Sequence, residues 1–205
     1  MKKQIFFFIL PLLIMPACIK KTTEKAGSCC STHKKENTIV EVSGESLYNL
    51  DSEWVSQADK RCHLRDFSGK IVVAAMIFTN CESACPRIVA DMKRIEQSFS
   101  GNELEQMLFL LISMDPERDT PPQLRNFAFL HQLNSHWTLI SSSPGATLET
   151  ANALGFRYKK LENGSFDHSN NIYILNGIGE VEAQQNGFSE NLNTLSNKIR
   201  EMLNH

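Results

Sequence analysis

Apolar residues follow two rhythms along this chain. IVVAAMIFT, from residue 71, is continuously apolar over one strand length and predicts a strand buried on both faces. MLFLLISM at 107–114, WTLIS at 137–141 and NIYIL at 171–175 predict three more strands. Between them the spacing becomes helical: Ile88, Met92, Ile95 and Phe99 follow Pro86, and Gly101 supplies a stop. Leu124, Phe127, Leu130 and Leu133 follow Thr120-Pro-Pro-Gln123, a capping-box spacing with proline in the first turn. A short helix over 147–154 closes at Gly155, and Ser189 stands where it caps a last helix to about Leu203. Gly177 and Gly179 turn the fourth strand back through Val181 as a hairpin, and residues 47–67, with Trp54, Cys62 and Leu64, predict a short N-terminal hairpin.

Strands alternating with helices and closed by an antiparallel pair predict an α/β three-layer sandwich with a mixed central sheet and an N-terminal β-hairpin. A thioredoxin-like fold fits that order best. The chain has 205 residues, and the part from Ser46 onward has the length of one compact domain with a sizeable core.

What precedes Ser46 differs in kind. Lys2 and Lys3 lead an apolar run from Ile5 to Met15, ending at Pro16 and Ala17, which reads as an export signal over 1–17. The run is shorter than the roughly 20 residues a spanning helix needs, and Pro11 interrupts it. Ala17-Cys18 resembles a bacterial lipobox, so Cys18 is expected to be a lipidated N-terminus; ordinary cleavage after Ala17 is the alternative. Met15 and Pro16 depart from the preferred lipobox residues. Residues 18–45 are polar and lysine-rich and read as a tether. These features together put the expected location at the periplasmic side of a bacterial cell envelope, held to membrane by the lipid. Net charge is -2 with both signs dispersed, which argues against a nucleic-acid partner.

The six cysteines carry the chemistry. With Cys18 lipidated, the rest stand at 29, 30, 62, 81 and 85, an odd set that cannot pair completely within one chain. Adjacent Cys29 and Cys30 are poorly placed to bond each other. Cys81 and Cys85 lie just past the carboxyl end of the first long strand and at the start of a helix, where backbone N–H groups and the helix dipole favour thiolates. Three residues separate them, one more than in a thioredoxin site. The pair alone leaves a redox dithiol, a metal clamp and a structural bridge open. Histidine is the natural third ligand, because imidazole accepts Cu(II) while two thiolates hold Cu(I). Of six histidines, His205 is terminal, His33 lies in the tether, His63 has no evident route to the cysteines, and His131 and His136 flank a helix end. His168 stands in GSFDHSNN, a polar loop before a strand whose pattern asks for no burial.

At this point a resemblance enters. DFSGK at 66–70, FTNCESACPRIVADM with its Cys-x3-Cys-Pro, SMDPERDTP at 113–121 and DHS at 167–169 are together similar to the Sco/SenC family of copper-binding assembly proteins, from about Ser46 to the C-terminus. The resemblance implies a thioredoxin fold, copper as Cu(I) or Cu(II), and Cys81, Cys85 and His168 as its ligands. It further implies a metallochaperone serving the copper A subunit of a respiratory cytochrome c oxidase, with other periplasmic copper carriers or thiol reductants as partners. It associates the 113–121 loop with partner docking, whereas a charged turn such as Asp115, Glu117, Arg118 and Asp119 is ordinarily only solvated. Glu82 stands where many members have proline, a negative charge that works slightly against the thiolates, and Cys62 is a thiol outside the pattern. Cys29, Cys30 and His33 form CCSTH, either an auxiliary copper-capture cluster or incidental tether residues.

Two other chemistries use the same dithiol. A thiol-disulfide oxidoreductase, with Cys81 attacking and Cys85 resolving, would reduce the copper A cysteines before metallation and needs no histidine. A peroxidase of the peroxiredoxin kind is disfavoured: aligned on Cys81, its proline position holds Ala74 and its threonine position Phe78.

Overall fold

The computed structural model describes residues 44–189 and 191–204. The expected signal at 1–17, Cys18, the Cys29, Cys30 and His33 cluster and His205 lie outside the described residues. A 3-10 turn at Leu47–Asn49 precedes the N-terminal hairpin, β1 (Glu53–Ser56) and β2 (Arg61–His63), in which Trp54 lies opposite Cys62. A second 3-10 turn leads into β3 (Ile71–Ile77), α1 (Ala84–Glu96), the short α2 (Asn102–Glu105) and β4 (Met107–Ser113). Next come α3 (Pro121–Leu130), β5 (Trp137–Ser141), α4 (Pro144–Ala153) and two three-residue strands, β6 (Tyr158–Lys160) and β7 (Phe166–His168). β8 (Asn171–Leu175), β9 (Val181–Asn186) and α5 (Asn193–Leu203) complete the chain.

Seven strands form one sheet in the order β2-β1-β5-β4-β3-β8-β9. β3, β4 and β5 run parallel, while β8 is antiparallel to β3, and β1 to β5. This is the mixed sheet that the sequence pattern predicts. All seven residues of β3 are buried, so both faces of the sheet are covered, as parallel strands require. Small Ala74 and Ala75 sit mid-strand among Val72, Val73 and Met76, and the surrounding core draws on Phe109, Leu111, Met92, Ile95, Leu139 and Ile174. Among the described residues no helix is long and apolar enough to cross a membrane.

The N-terminal turn is fastened to the turn between β8 and β9, which also holds Gly69 just ahead of β3. Ser46 Oγ donates to the Ile178 carbonyl at 2.5 Å, the Leu47 amide to Gly179 O at 3.0 Å, and the Gly69 amide to Gly177 O at 2.8 Å. Gly179 has φ +83, and a Cβ there would come within 2.6 Å of the Tyr48 ring, so both conformation and contact demand glycine.

Several local expectations give way to tertiary context. α1 ends at Glu96, and Gly101 (φ 50) stands before α2 instead of stopping α1. Thr120 precedes α3 without the expected side-chain cap, and Leu130 is 66% exposed instead of facing the core. α4 starts at Pro144, earlier than expected, because Ser143 caps it by accepting the Ala146 amide. α5 begins at Asn193, and Ser189 bonds the Asn191 backbone instead of capping it.

Candidate metal centre

β3 carries the chain to Phe78, and a turn closed by the Cys81 amide to the Phe78 carbonyl, at 3.2 Å, presents Cys81 beyond the strand's carboxyl end. Cys85 follows in the first turn of α1, where the helix leaves its leading N–H groups without intrahelical partners. One of these, the Cys85 amide, points at Cys81 Sγ at 3.3 Å. The turn is anchored from below by Asp119. Its carboxylate, 1% exposed, accepts the Thr79 hydroxyl and the Ser113 hydroxyl, each at 2.6 Å, and the Thr79 amide at 3.2 Å. Burial pushes the Asp119 carboxyl upward, against these donors.

His168 arrives from the other side. GSFDHSNN is not the plain loop expected of it: Phe166–His168 is β7, paired with β6 so that His168 lies opposite Tyr158. This hairpin forms its own two-stranded sheet. The turn at its tip closes through the Leu161 amide to Ser165 O at 2.8 Å and the Gly164 amide to Leu161 O at 2.9 Å, with Gly164 at φ +78. Asn163-Gly164 between Tyr158 and Phe166 is a hairpin signal that sequence reasoning passed over. Phe166 packs on Phe78 with ring centroids 5.0 Å apart, and the half-buried His168 ring lies edge-on to Phe78 and stacked on Phe156. His168 Nδ1 is 2.7 Å from the Ser169 carbonyl, which assigns the proton to Nδ1 and leaves Nε2 for a ligand.

The turn after β4 grips the same hairpin. Asp115 and Asp119 are both 1% exposed, so two of the four charged residues of this turn are buried, while Glu117 is exposed and Arg118 half-buried. Arg118 donates through Nε to Asp115 Oδ2 and through a terminal nitrogen to the Gly164 carbonyl. Lys160 pairs with Glu117 at 2.6 Å and lies 4.0 Å from Asp115.

Two thiols and an imidazole thus converge, with one ligand atom each and all within 4.8 Å of one another; among the described residues this is the group that could hold a metal ion. An ion with bonds of about 2.0 to 2.3 Å draws its donors to roughly 3.5–4 Å apart, so closure by about an ångström or less suffices. Two sulfurs and one nitrogen make a soft donor set suited to copper. The site opens into a cleft of about 380 Å³ lined by Cys81, Ser83, Arg118, Gly164 and His168. The two cysteines differ electrically. The Cys85 thiol, then His168 and the Cys85 and Ser83 amides, hydrogen-bond Cys81 and pull its pKa down to about 3, despite partial burial. Cys85 is pushed strongly upward, by its bond to the Cys81 sulfur and by burial, so the expectation that both are thiolates holds only for Cys81. Burial disfavours the charged form of His168, but the Cys81 thiolate, the Ser169 carbonyl and Asp167 outweigh it and raise its pKa.

Cys62 stays outside this group, on β2. His63, His131 and His136 are likewise not brought to it.

A family model described as SCO1/SenC matches residues 42–204. The SCO1 protein homolog of Bacillus subtilis (strain 168) is 28% identical over 136 residues, 64% of this chain and 70% of that protein. The structure of Bradyrhizobium japonicum ScoI with copper bound aligns at TM-score 0.64 and 19% identity, over 74% of this chain and 96% of that one. BsSco, a member of the Sco family of cytochrome c oxidase assembly proteins in which a disulfide switch is identified, aligns at TM-score 0.65 and 24% identity, over 78% of this chain and 96% of that one. At these identities the two structures establish the shared thioredoxin-like fold.

Proposed function

The chain belongs to the SCO1/SenC family, and on that premise we propose that it is a copper metallochaperone that binds copper through Cys81, Cys85 and His168. The observation that carries this reading is the meeting of the three donors, from two separately supported elements, at the mouth of an open cleft. The two sulfurs hold Cu(I), and the imidazole Nε2 completes a set that also accepts Cu(II). Delivery goes to the copper A centre of a respiratory cytochrome c oxidase, by exchange of these ligands for the target's own thiolates. In this reading residues 46–205 are the copper-binding domain, behind a signal at 1–17 and a tether at 18–45 lipidated at Cys18. The protein then works on the periplasmic side of a bacterial cell envelope. Copper titration of the reduced protein tests the site: a His168→Ala variant that keeps full Cu(II) affinity and the same spectrum sinks the three-donor reading.

The contrast between Cys81 and Cys85 favours a second reading, reduction of the copper A cysteines before metallation. The Cys81 thiolate attacks one sulfur of the target disulfide, forms a mixed disulfide and releases one target thiolate. Cys85 then gives up its proton and attacks Cys81 Sγ, closing the Cys81–Cys85 disulfide and releasing the second target thiol, so two electrons pass to the target. Reduction of an oxidised copper A peptide by the metal-free dithiol separates the roles: a negligible rate removes this one.

A further inference from the structure

Resting on the three-donor reading above, we infer that Arg118 is a positioning residue: it holds the β6–β7 hairpin, and so His168, against the two cysteines. The hairpin lies outside the main sheet, and a lone two-stranded ribbon is at best marginally stable. What fixes it is therefore what it touches. Beside its turn the contact is apolar, Phe166 on Phe78, and at its base the His168 ring packs on Phe78 and Phe156. At its tip it is Arg118, whose Nε is held by the buried Asp115 carboxylate while a terminal nitrogen holds the Gly164 carbonyl.

The geometry suits a guanidinium. Two acceptors from different segments are served at once by one rigid planar group, which a lysine ammonium on a flexible stem does not reproduce. Gly164 makes room for it: a Cβ there would lie 3.4 Å from Arg118 Nη1, and φ +78 already excludes most side chains. Lys160 to Glu117, at 2.6 Å, is a second and more exposed strut between the same two segments.

Cys81 and Cys85 stand on other supports, β3 and α1 with Asp119 bonded beneath Thr79. Loosening the tip of the hairpin therefore moves the imidazole and leaves the sulfurs where they are. Arg118 accordingly governs the third ligand alone. Cu(II), which uses the imidazole, depends on it, and Cu(I), which two thiolates hold, does not.

The test compares Arg118→Met and Arg118→Lys in the full chain, reduced, with and without copper. Both variants are expected to speed amide hydrogen exchange over residues 158–168 with β3 and β4 unchanged, and to weaken the nitrogen hyperfine coupling of bound Cu(II). They should also lower Cu(II) affinity by about tenfold or more while keeping Cu(I) affinity within about twofold. Wild-type hairpin exchange and Cu(II) affinity in Arg118→Met overturn the proposal. So does recovery of both in Arg118→Lys, which would assign only a charge to this position, and so does equal loss of Cu(I) and Cu(II). If the Arg118 variants do not fold, Lys160→Met carries the test: a smaller change of the same kind is expected, and unchanged hairpin exchange overturns the clamp. Wild-type protein that binds copper with no nitrogen ligand defeats the three-donor reading instead, and hairpin exchange in the metal-free variants still decides whether Arg118 holds the hairpin.

Discussion

Cys62 and Cys81 carry the same thiol, each is partly exposed, and their acidities run in opposite directions. Cys62 sits in a short edge strand, where burial, then Asp66 and Glu53, push its pKa up to about 11. Cys81 is surrounded by donors: the Cys85 thiol, His168 and the amides of Cys85 and Ser83. Burial raises both, so depth does not separate them. The difference lies in what faces the sulfur, carboxylates in one case and hydrogen-bond donors at a helix start in the other.

Alkylation of the metal-free protein gives the largest expected contrast. Between pH 4 and pH 7 the Cys62 rate should climb about a thousandfold, since its small thiolate fraction grows about tenfold per pH unit. With a pKa near 3, Cys81 is already thiolate at pH 4 and its rate should stay nearly flat. The slopes, not the rates at neutral pH, are diagnostic, because a low-pKa thiolate is intrinsically the weaker nucleophile. Site-resolved mass spectrometry measures both, and parallel slopes would erase the comparison. Next in size is the anchor beneath Cys81. Thr79→Val removes the hydroxyl that Asp119 accepts at 2.6 Å. The expected loss is about 1.5–3 kcal/mol of unfolding free energy by denaturant titration, the range for a hydrogen bond to a charged group.

Cys85→Ala removes the largest cause of Cys81 acidity. The midpoint of the Cys81 thiolate absorbance should move up by about two pH units, roughly a hundredfold in acid constant. An unmoved midpoint would leave the backbone amides and His168 as the main cause. The smallest change is expected at the other thiol. Asp66→Asn takes away a partly screened charge, and should raise the Cys62 alkylation rate by only about twofold to threefold, read at fixed pH. A much larger rise would mean that charge, not burial, sets its acidity.

These two thiols also mark how far the sequence could be read. Continuous apolar runs made β3, β4, β5 and β8 legible, because a strand buried on both faces leaves no other pattern. Cys81 and Cys85 followed from their place after β3. His168 carries no local signal of its own, and only the wider family resemblance singled it out. The β6–β7 hairpin escaped because three-residue strands are shorter than any periodicity can register, although Asn163-Gly164 marked the turn. Asp115 and Asp119 looked solvated because Lys160, beside the one, and Thr79, bonded to the other, come from elements that no local window includes. Nothing local shows, either, that Arg118, three residues from Asp115, is also tied to Gly164. Leu130 shows the converse: helical spacing nominates a face, but only the packing of α3 decides how wide that face is.

The fastening of Ser46, Leu47 and Tyr48 under the Gly177 to Gly179 turn gives the domain a pole. That turn follows β8, whose Leu175 pairs with Val72 near the start of β3, whereas Cys81 lies beyond the far end of the same strand. At about 3.3 Å per residue, β3 alone sets the two ends roughly 20 Å apart. Ser46 and the Cys81 thiolate thus stand at opposite ends of the central strand, and a client that comes to the sulfurs approaches the end away from the Ser46 fastening.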